Sequence, residues 1–199
     1  MEDGRLVAHV TDHRITRVTT TKAIEQHNRI YISMRNALAL TQLKARVITS
    51  TGKVTNFDEK NLKEIRDEET DNTYRIFAME GVEIDSEIEV LYTLKIRART
   101  QETFYFQQRT PIKEFYYELQ SPKSQVFDFK VYNDNNTIVA DTLNRKNRFV
   151  LRCNDIPGLR EEGFGNTGAN SKRIELKLLF NYDSNSRSRL NNWADAGRE

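Results

Sequence analysis

Cys153 is the only thiol in the sequence, so its neighbours decide whether the chain can perform covalent chemistry. A catalytic cysteine needs a histidine to take its proton and a third group to orient that histidine. The three histidines, His9, His13 and His27, all lie in the first predicted strands. Cys153 follows an apolar strand over residues 149–152 and does not open a helix whose dipole would lower the thiol pKa. We therefore predict a small, partly buried thiol and no catalytic residue in the chain.

A glycine-rich segment over residues 163–168 matches the pattern G-x-G-x-x-G. That pattern binds a dinucleotide where it links a strand to a helix whose N-terminus faces the pyrophosphate. Here a polar stretch, residues 159–162, precedes the pattern, and a predicted strand over residues 174–182 follows it with no helix between. We interpret the segment as a glycine loop and predict no cofactor.

Metal ligation is also disfavoured by spacing. The histidines have no carboxylate or thiolate companions at the intervals of a zinc site. The turn at residues 133–136 offers oxygen ligands but lacks EF-hand spacing and a terminal glutamate, so calcium is the weaker alternative to a plain turn. Glu161, Glu162 and the acidic run at residues 67–71 could supply paired carboxylates for glycoside hydrolysis, but adjacent acids of this kind are typical of surface loops.

Composition limits the partners of the chain. The 199 residues carry 31 basic and 29 acidic side chains, a net charge of +2. With interspersed acids and a pI of about 8.6, the chain falls short of the basic face that a nucleic-acid binder shows. No apolar run reaches the roughly 18 residues of a membrane helix, and the first residues lack a signal-peptide core. We predict no nucleic-acid partner and no membrane span.

Strand periodicity dominates the chain, because apolar and polar residues alternate over most of its length. Gly52 adds a hairpin signal, since it can take a positive φ. Many short strands separated by turns indicate an all-β sandwich or barrel. The clearest strands are 43–47, 86–97, 115–119, 127–131 and 174–182, and the weaker ones are 6–11, 28–34, 54–57, 73–78, 103–107, 138–140 and 148–152.

Helical signals are few. Residues 57–66 predict one helical turn with Asp58 as its cap, and residues 190–196 predict the start of a further helix containing Trp193. The polar residues 183–189 between the last strand and that helix are typical of a linker. We predict one domain over residues 1–182, followed at 183–199 by a linker and the start of another domain.

Two neighbouring strands are unusually aromatic. Alternation directs four of their rings to the core and leaves Tyr105 and Tyr116 facing outward, where they could stack on a sugar or hold a partner domain. Covering the edges of sheets is the alternative role. The four core-facing rings are those of Phe104, Phe106, Phe115 and Tyr117.

Four segments, taken in order, carry a resemblance to a known family: residues 43–54, 76–92, 106–112 and 154–162. Together they resemble domain of unknown function 3857, which precedes a transglutaminase-like, papain-fold domain in exported bacterial proteins, especially of Bacteroidetes. The resemblance extends over residues 40–182. Asp85 departs from it, because the family tends to have glycine before this strand, a change that affects a turn and no chemistry.

The resemblance implies an immunoglobulin-like antiparallel β-sandwich of about ten to twelve strands, located in the periplasm or outside the cell. Catalytic residues of such proteins belong to the following transglutaminase-like domain, so none is carried onto this chain. We expect a non-catalytic accessory domain whose partner is that following domain. The alternative is a carbohydrate- or peptide-binding module that uses Tyr105 and Tyr116. An enzyme in its own right would need a histidine beside Cys153 or beside a carboxylate pair.

Overall fold

Thirteen β-strands make up most of the 6–144, 146–159 and 167–182 ranges that the computed structural model describes. The contacts within the chain divide it into two compact units, Met1–Ala98 and Arg99–Glu199. Each unit has two antiparallel sheets with an apolar core between them. The predicted all-β antiparallel sandwich is therefore confirmed, with one strand more than the highest number expected.

The first unit contains seven strands. Its larger sheet has the strand order β1-β7-β3-β4 and its smaller sheet the order β2-β6-β5. The elements are β1 (Val7–Arg17), α1 (Thr21–His27), β2 (Arg29–Ser33), β3 (Ala37–Ile48), β4 (Val54–Asn56), a 3-10 turn (Glu59–Asn61), β5 (Lys63–Arg66), β6 (Thr73–Ala78) and β7 (Glu87–Arg97).

Alternation along β7 shows why this sequence forms a sandwich. Ile88 and Val90 are buried, whereas Glu89 between them points to the outer face and pairs with His13. The buried side chains of β7 and β3 pack against Ile32 and Phe77 of the smaller sheet. Removal of these apolar surfaces from water is the main stabilising contribution to this unit.

The β3–β4 hairpin has the predicted turn. Gly52 adopts φ +84°, a left-handed conformation that glycine takes without a steric penalty. Its N–H donates to the Thr49 carbonyl at 2.9 Å, and the Thr49 N–H donates to the Lys53 carbonyl at 2.9 Å. The turn brings Val54 back opposite Ile48.

The prediction of one helical turn within residues 57–66 is confirmed, since a 3-10 turn spans Glu59–Asn61. Asp58 does cap a turn, since its carboxylate accepts from the Lys60 N–H at 3.0 Å. The helix ends after Asn61, and Lys63–Arg66 instead pairs with β6 as β5. Helix α1 was not predicted, because its seven residues include only two apolar ones, Ala23 and Ile24, which are too few to show a helical period.

The second unit contains six strands in two three-stranded sheets, β10-β13-β8 and β11-β12-β9. Leu151 and Cys153 of β12 face Ile174 of β13 across its core. The elements are β8 (Gln101–Tyr105), β9 (Ile112–Pro122), β10 (Gln125–Tyr132), β11 (Val139–Leu143), β12 (Lys146–Ile156), α2 (Thr167–Asn170) and β13 (Arg173–Asn181).

One sandwich domain was predicted over residues 1–182, and the division of the chain into two compact units after Ala98 was not anticipated. The strand pattern runs through this point without a Pro-, Gly- or Ser-rich linker, so composition does not mark it. Helix α2, one turn long, lies where no helix was expected and leads at once into β13. The predicted linker and helix start in 183–199 lie outside the described residues, as do positions 163–166 of the glycine segment. Within the described ranges, no helix is long and apolar enough to cross a membrane.

Candidate functional site

Tyr105 lies in a row of three side chains on the outer face of the β10-β13-β8 sheet. The register places it opposite Arg173 of the central strand, and Arg173 is in turn opposite Tyr132. The Arg173 guanidinium lies 4.0 Å from the centroid of the Tyr132 ring, and Lys130 Nζ lies 4.6 Å from the same centroid. Tyr105 is 51% exposed. The row is therefore an aromatic surface with a cation at its centre.

This row has the geometry of a shallow binding surface. Adjacent strands are about 4.8 Å apart, so Tyr105 and Tyr132 are separated by about 10 Å. Tyrosine rings can stack on the apolar face of a sugar or a peptide group. Arg173 is already engaged, since it donates to the Glu175 carboxylate and to the Ala169 carbonyl, each at 3.1 Å. These two hydrogen bonds fix the position of the guanidinium over the Tyr132 ring.

Tyr116 lies on the outer face of the other sheet of this unit, in a denser polar network. The Arg152 guanidinium packs 4.8 Å from the centroid of its ring. The Tyr116 hydroxyl donates to the Glu118 carboxylate and accepts from Arg148 at 3.0 Å. Arg148 also donates to Glu118 at 3.0 Å. Tyr116 is 45% exposed, but its hydroxyl is used within the protein.

The structure does not bring the two tyrosines together. Each alternates with core-facing rings of its own strand, so they project from opposite faces of the sandwich. They cannot form one platform. The prediction that the Phe104 ring lies in the core is wrong. The ring approaches Phe115 at a centroid distance of 6.2 Å, but it is 44% exposed because β8 is an edge strand.

Sequence reasoning missed Tyr132 and Arg173 as neighbours of Tyr105. Alternation alone places Tyr132 on an outer face, since it follows the inward Val131. The pairing of β8 with β13 joins residues 68 positions apart, Tyr105 and Arg173. No local pattern encodes that register.

The network at Tyr116 predicts a defined acid sensitivity. Hydrogen bonds from Tyr116, Gln120 and Arg148 lower the pKa of Glu118 from 4.5 to about 2. A carboxylate with a lowered pKa stabilises the fold above its unfolded pKa, and this contribution is lost as the pH falls through the folded pKa. We therefore expect the unfolding free energy to decrease between pH 4.5 and about 2, and Glu118→Gln to remove that part of the slope.

Urea titrations at a series of pH values measure this slope. Glu114→Gln, a change to an exposed carboxylate of the same strand, is the matched control and should leave the slope as in the wild type. Equal slopes for Glu118→Gln and the wild type would show that the network does not stabilise the fold.

Cys153 lies in the core of the second unit, only 2% exposed. Its Sγ is 3.9 Å from Oδ1 of Asp134, so its polar neighbour is a carboxylate. Burial and the Asp134 charge raise the pKa of the thiol. The described part of this unit contains no histidine, since the three histidines belong to the first unit. A small, partly buried thiol was predicted, and Cys153 is buried more completely than that.

Asp134 is held by a dense set of donors. Its side chain is 5% exposed, and Lys172 Nζ lies 2.6 Å from Oδ2. Asn136 donates to Oδ1 through its backbone N–H at 2.8 Å and its side-chain amide at 2.7 Å. Burial raises the pKa of Asp134, but the bonds from Lys172 and Asn136 outweigh it and hold the pKa below its usual range.

This arrangement bears on the calcium alternative for the turn at residues 133–136. The Asp134 carboxylate is already neutralised by Lys172, which leaves it a poor ligand for a cation. Among the described residues, no group of three or more His, Cys, Asp or Glu side chains is placed to hold a metal ion.

Comparisons with known proteins identify a family and a similar fold. DUF3857, a family described as a domain of unknown function with a solved structure, matches residues 7–159. The crystal structure of a protein from Parabacteroides distasonis ATCC 8503, described as a putative protease, matches with a TM-score of 0.75 and 13% identity. The match covers 86% of this chain but only 37% of that one, so this chain spans little more than a third of the longer protein. Curated proteins gave no match.

Proposed function

This chain belongs to the DUF3857 family, and from that premise we propose that it serves as a non-catalytic accessory domain of a longer, protease-like envelope protein. In that role it packs against the catalytic part or presents substrate to it. The observation that carries the proposal is the unequal coverage of the Parabacteroides match. Most of this chain corresponds to a minor share of a longer chain, which is the relation expected of an accessory domain.

The chemistry of the described residues supports the non-catalytic role. Cys153 is buried, its pKa is raised and its neighbour is the carboxylate of Asp134. A thiolate nucleophile needs a lowered pKa and access to substrate. Cys153 has neither property.

The proposed partner is a transglutaminase-like domain that follows this chain in the same polypeptide, and the proposed location is the periplasm or the cell exterior. The family resemblance supports both. In a transglutaminase-like fold the nucleophile, base and orienting group form one set within that fold. The sandwich would then contribute surface rather than reacting groups.

Two measurements on the purified 199-residue chain test this function. We expect no hydrolysis and no crosslinking of casein by the chain alone, and no change on Cys153→Ala. We also expect the chain to co-elute in size-exclusion chromatography with the segment that follows it in its full reading frame, supplied as a separate polypeptide. Hydrolysis or crosslinking that Cys153→Ala abolishes would overturn the proposal, as would failure to co-elute.

A second candidate function is a carbohydrate-binding module, which the row of Tyr105, Arg173 and Tyr132 favours. Glycan-array screening separates it from packing. A sugar-binding module would lose its signal on Tyr105→Ala and keep it on Tyr116→Ala, because the two rings lie on opposite faces. A packing module would give no glycan signal and would retain its affinity for the following segment.

A further inference from the structure

We propose that the free edge of β1 binds an extended peptide as an added strand, and that the peptide alternates acidic and apolar side chains. The inference rests on the proposed function, because it names the class of substrate that the domain would present. It concerns the first unit alone, and it depends on three features: the open backbone edge, the side chains along it and the crevice beside it.

The backbone of β1 is open along its length. β1 is the end strand of its sheet and pairs with β7 over all eleven of its residues without a bulge. The Ala98 N–H donates to the Leu6 carbonyl at 3.0 Å, and the Val18 N–H donates to the Ser86 carbonyl at 2.9 Å. Because hydrogen bonding alternates along an antiparallel pair, the even-numbered residues between Leu6 and Val18 direct their N–H and C=O groups toward β7. The odd-numbered residues direct their N–H and C=O groups away from the sheet.

Edges of this length are uncommon without protection. Eleven residues extend over about 36 Å, whereas typical strands have five or six residues. Prolines, bulges and inward-pointing charges are the usual devices that prevent an edge from pairing. β1 has no proline and no bulge, and its inward charges, Asp12 and Arg14, neutralise each other at 2.8 Å. The edge therefore remains a template for another strand.

The outer side chains of the edge select acids. None of the odd-numbered residues is an acid, and they share the outer face with Glu87 and Glu89 of β7. Arg17 reaches Asp85 at 3.4 Å, but its side chain is 62% exposed, so its guanidinium has donors left for a second carboxylate. His13 already holds one carboxylate there, since its Nε2 lies 2.8 Å from Glu89 Oε1. An added strand would place its outer side chains directly opposite, where unlike charges are favourable. The outer residues are Val7, His9, Thr11, His13, Ile15 and Arg17.

The core side of the edge selects an apolar side chain. A crevice of about 60 Å³ opens there between β1 and β2. Because one water-sized group needs roughly 10–15 Å³, the crevice has room for a branched apolar side chain. Its floor is formed by Ile88 and Val90, which are buried in the core. Its other lining residues are Arg14, Thr16, His27, Ile30, Tyr31 and Tyr92.

The test uses two synthetic peptides of about eight residues, a length that fits within β1. One alternates Glu and Val, and the other alternates Lys and Val. Both are acetylated, amidated and fluorescently labelled, and their binding to the 199-residue chain is measured by fluorescence anisotropy. We expect the Glu/Val peptide to bind, and the Lys/Val peptide to bind at least about tenfold more weakly.

Ile15→Pro is the matched backbone variant. The Ile15 N–H faces away from β7, so proline removes a donor from the open edge and leaves the β1–β7 ladder intact. We expect about a tenfold loss of affinity for the Glu/Val peptide with Ile15→Pro. Ile15→Thr, which keeps the N–H and the β-branched shape, should change the affinity by less than about twofold. Circular dichroism verifies that each variant is folded.

N-methylation of the peptide is an independent test, which decides the matter even if Ile15→Pro does not fold. Two N-methylated peptides are compared, each with methyl groups on every second nitrogen along one edge of the extended peptide. Methylation of the edge that faces β1 should abolish binding, and methylation of the opposite edge should not. Binding that tolerates both patterns overturns the proposal, and so does equal affinity for the Lys/Val peptide. A dimer of the chain that Ile15→Pro disrupts, with no peptide binding, would show that the occupant is a second copy instead. None of these outcomes alters co-elution with the following segment, so the proposed function is tested separately.

Discussion

Replacing Phe106 with alanine is expected to lower the free energy of unfolding by about 3–5 kcal/mol, the usual cost of removing a buried ring. Phe106 is 1% exposed, and its ring stacks on that of Phe115 at a centroid distance of 4.6 Å. It also packs in the same core as Leu151 and Ile174, which come from the two facing sheets. Rigid strands on both sides cannot collapse into the space, so the variant loses both the transfer energy and the ring contacts.

Phe104→Ala is the matched control, since it removes the same ring two positions earlier. Phe104 is 44% exposed at the sheet edge, so we expect a cost of less than about 1.5 kcal/mol. Urea unfolding followed by far-UV circular dichroism measures both values, and amide hydrogen exchange shows whether the loss of protection falls on residues of the second unit. Equal costs for the two variants would mean that Phe106 does not anchor this core.

The strands could be predicted because their evidence is local. The predicted strand at residues 73–78 coincides with β6, where apolar residues lie between an acidic loop and the turn containing Gly81. The turn at Gly52 was also predictable, since a positive φ restricts the residue type. The strand at Lys63–Arg66 was missed because all four of its residues are exposed, and a strand without a buried face has no apolar alternation.

The candidate surfaces could be predicted only in part. Alternation placed Tyr105 and Tyr116 outward, which their exposure matches. It could not show that they lie on opposite faces, because that depends on which sheet each strand joins. The free edge of β1 was likewise hidden, since an edge is defined by the absence of a neighbour in space rather than by a residue pattern. The candidate surfaces depend on pairings between distant strands, and local sequence does not record those pairings.

Asp134→Ala is expected to lower the free energy of unfolding by about 3 kcal/mol, because it leaves a largely buried ammonium without its counter-ion. Lys172 Nζ lies 2.6 Å from the Asp134 carboxylate, and the two side chains are 20% and 5% exposed. Removing one partner of a buried ion pair usually costs about 3–5 kcal/mol, and we expect the lower value because Lys172 retains some contact with water. Lys113→Ala is the control, because it breaks an exposed ion pair. The Lys113 side chain is 88% exposed and that of its partner Asp155 is 71% exposed, so the variant should leave the urea midpoint unchanged.

The pH dependence and a double variant identify charge as the cause. The pKa of Asp134 lies below its ordinary value of 3.8, so its stabilisation is complete above that pH and is lost as the pH falls through the lower folded pKa. The difference between the wild type and Asp134→Ala should therefore be constant near neutral pH and shrink below pH 3.8. Combining Asp134→Asn with Lys172→Met removes both charges and should recover more than half of the loss, since an apolar replacement of a buried pair is often nearly neutral. If the double variant is as unstable as Asp134→Ala, then the packing and hydrogen bonds of the turn stabilise this part of the core, and the ion pair does not.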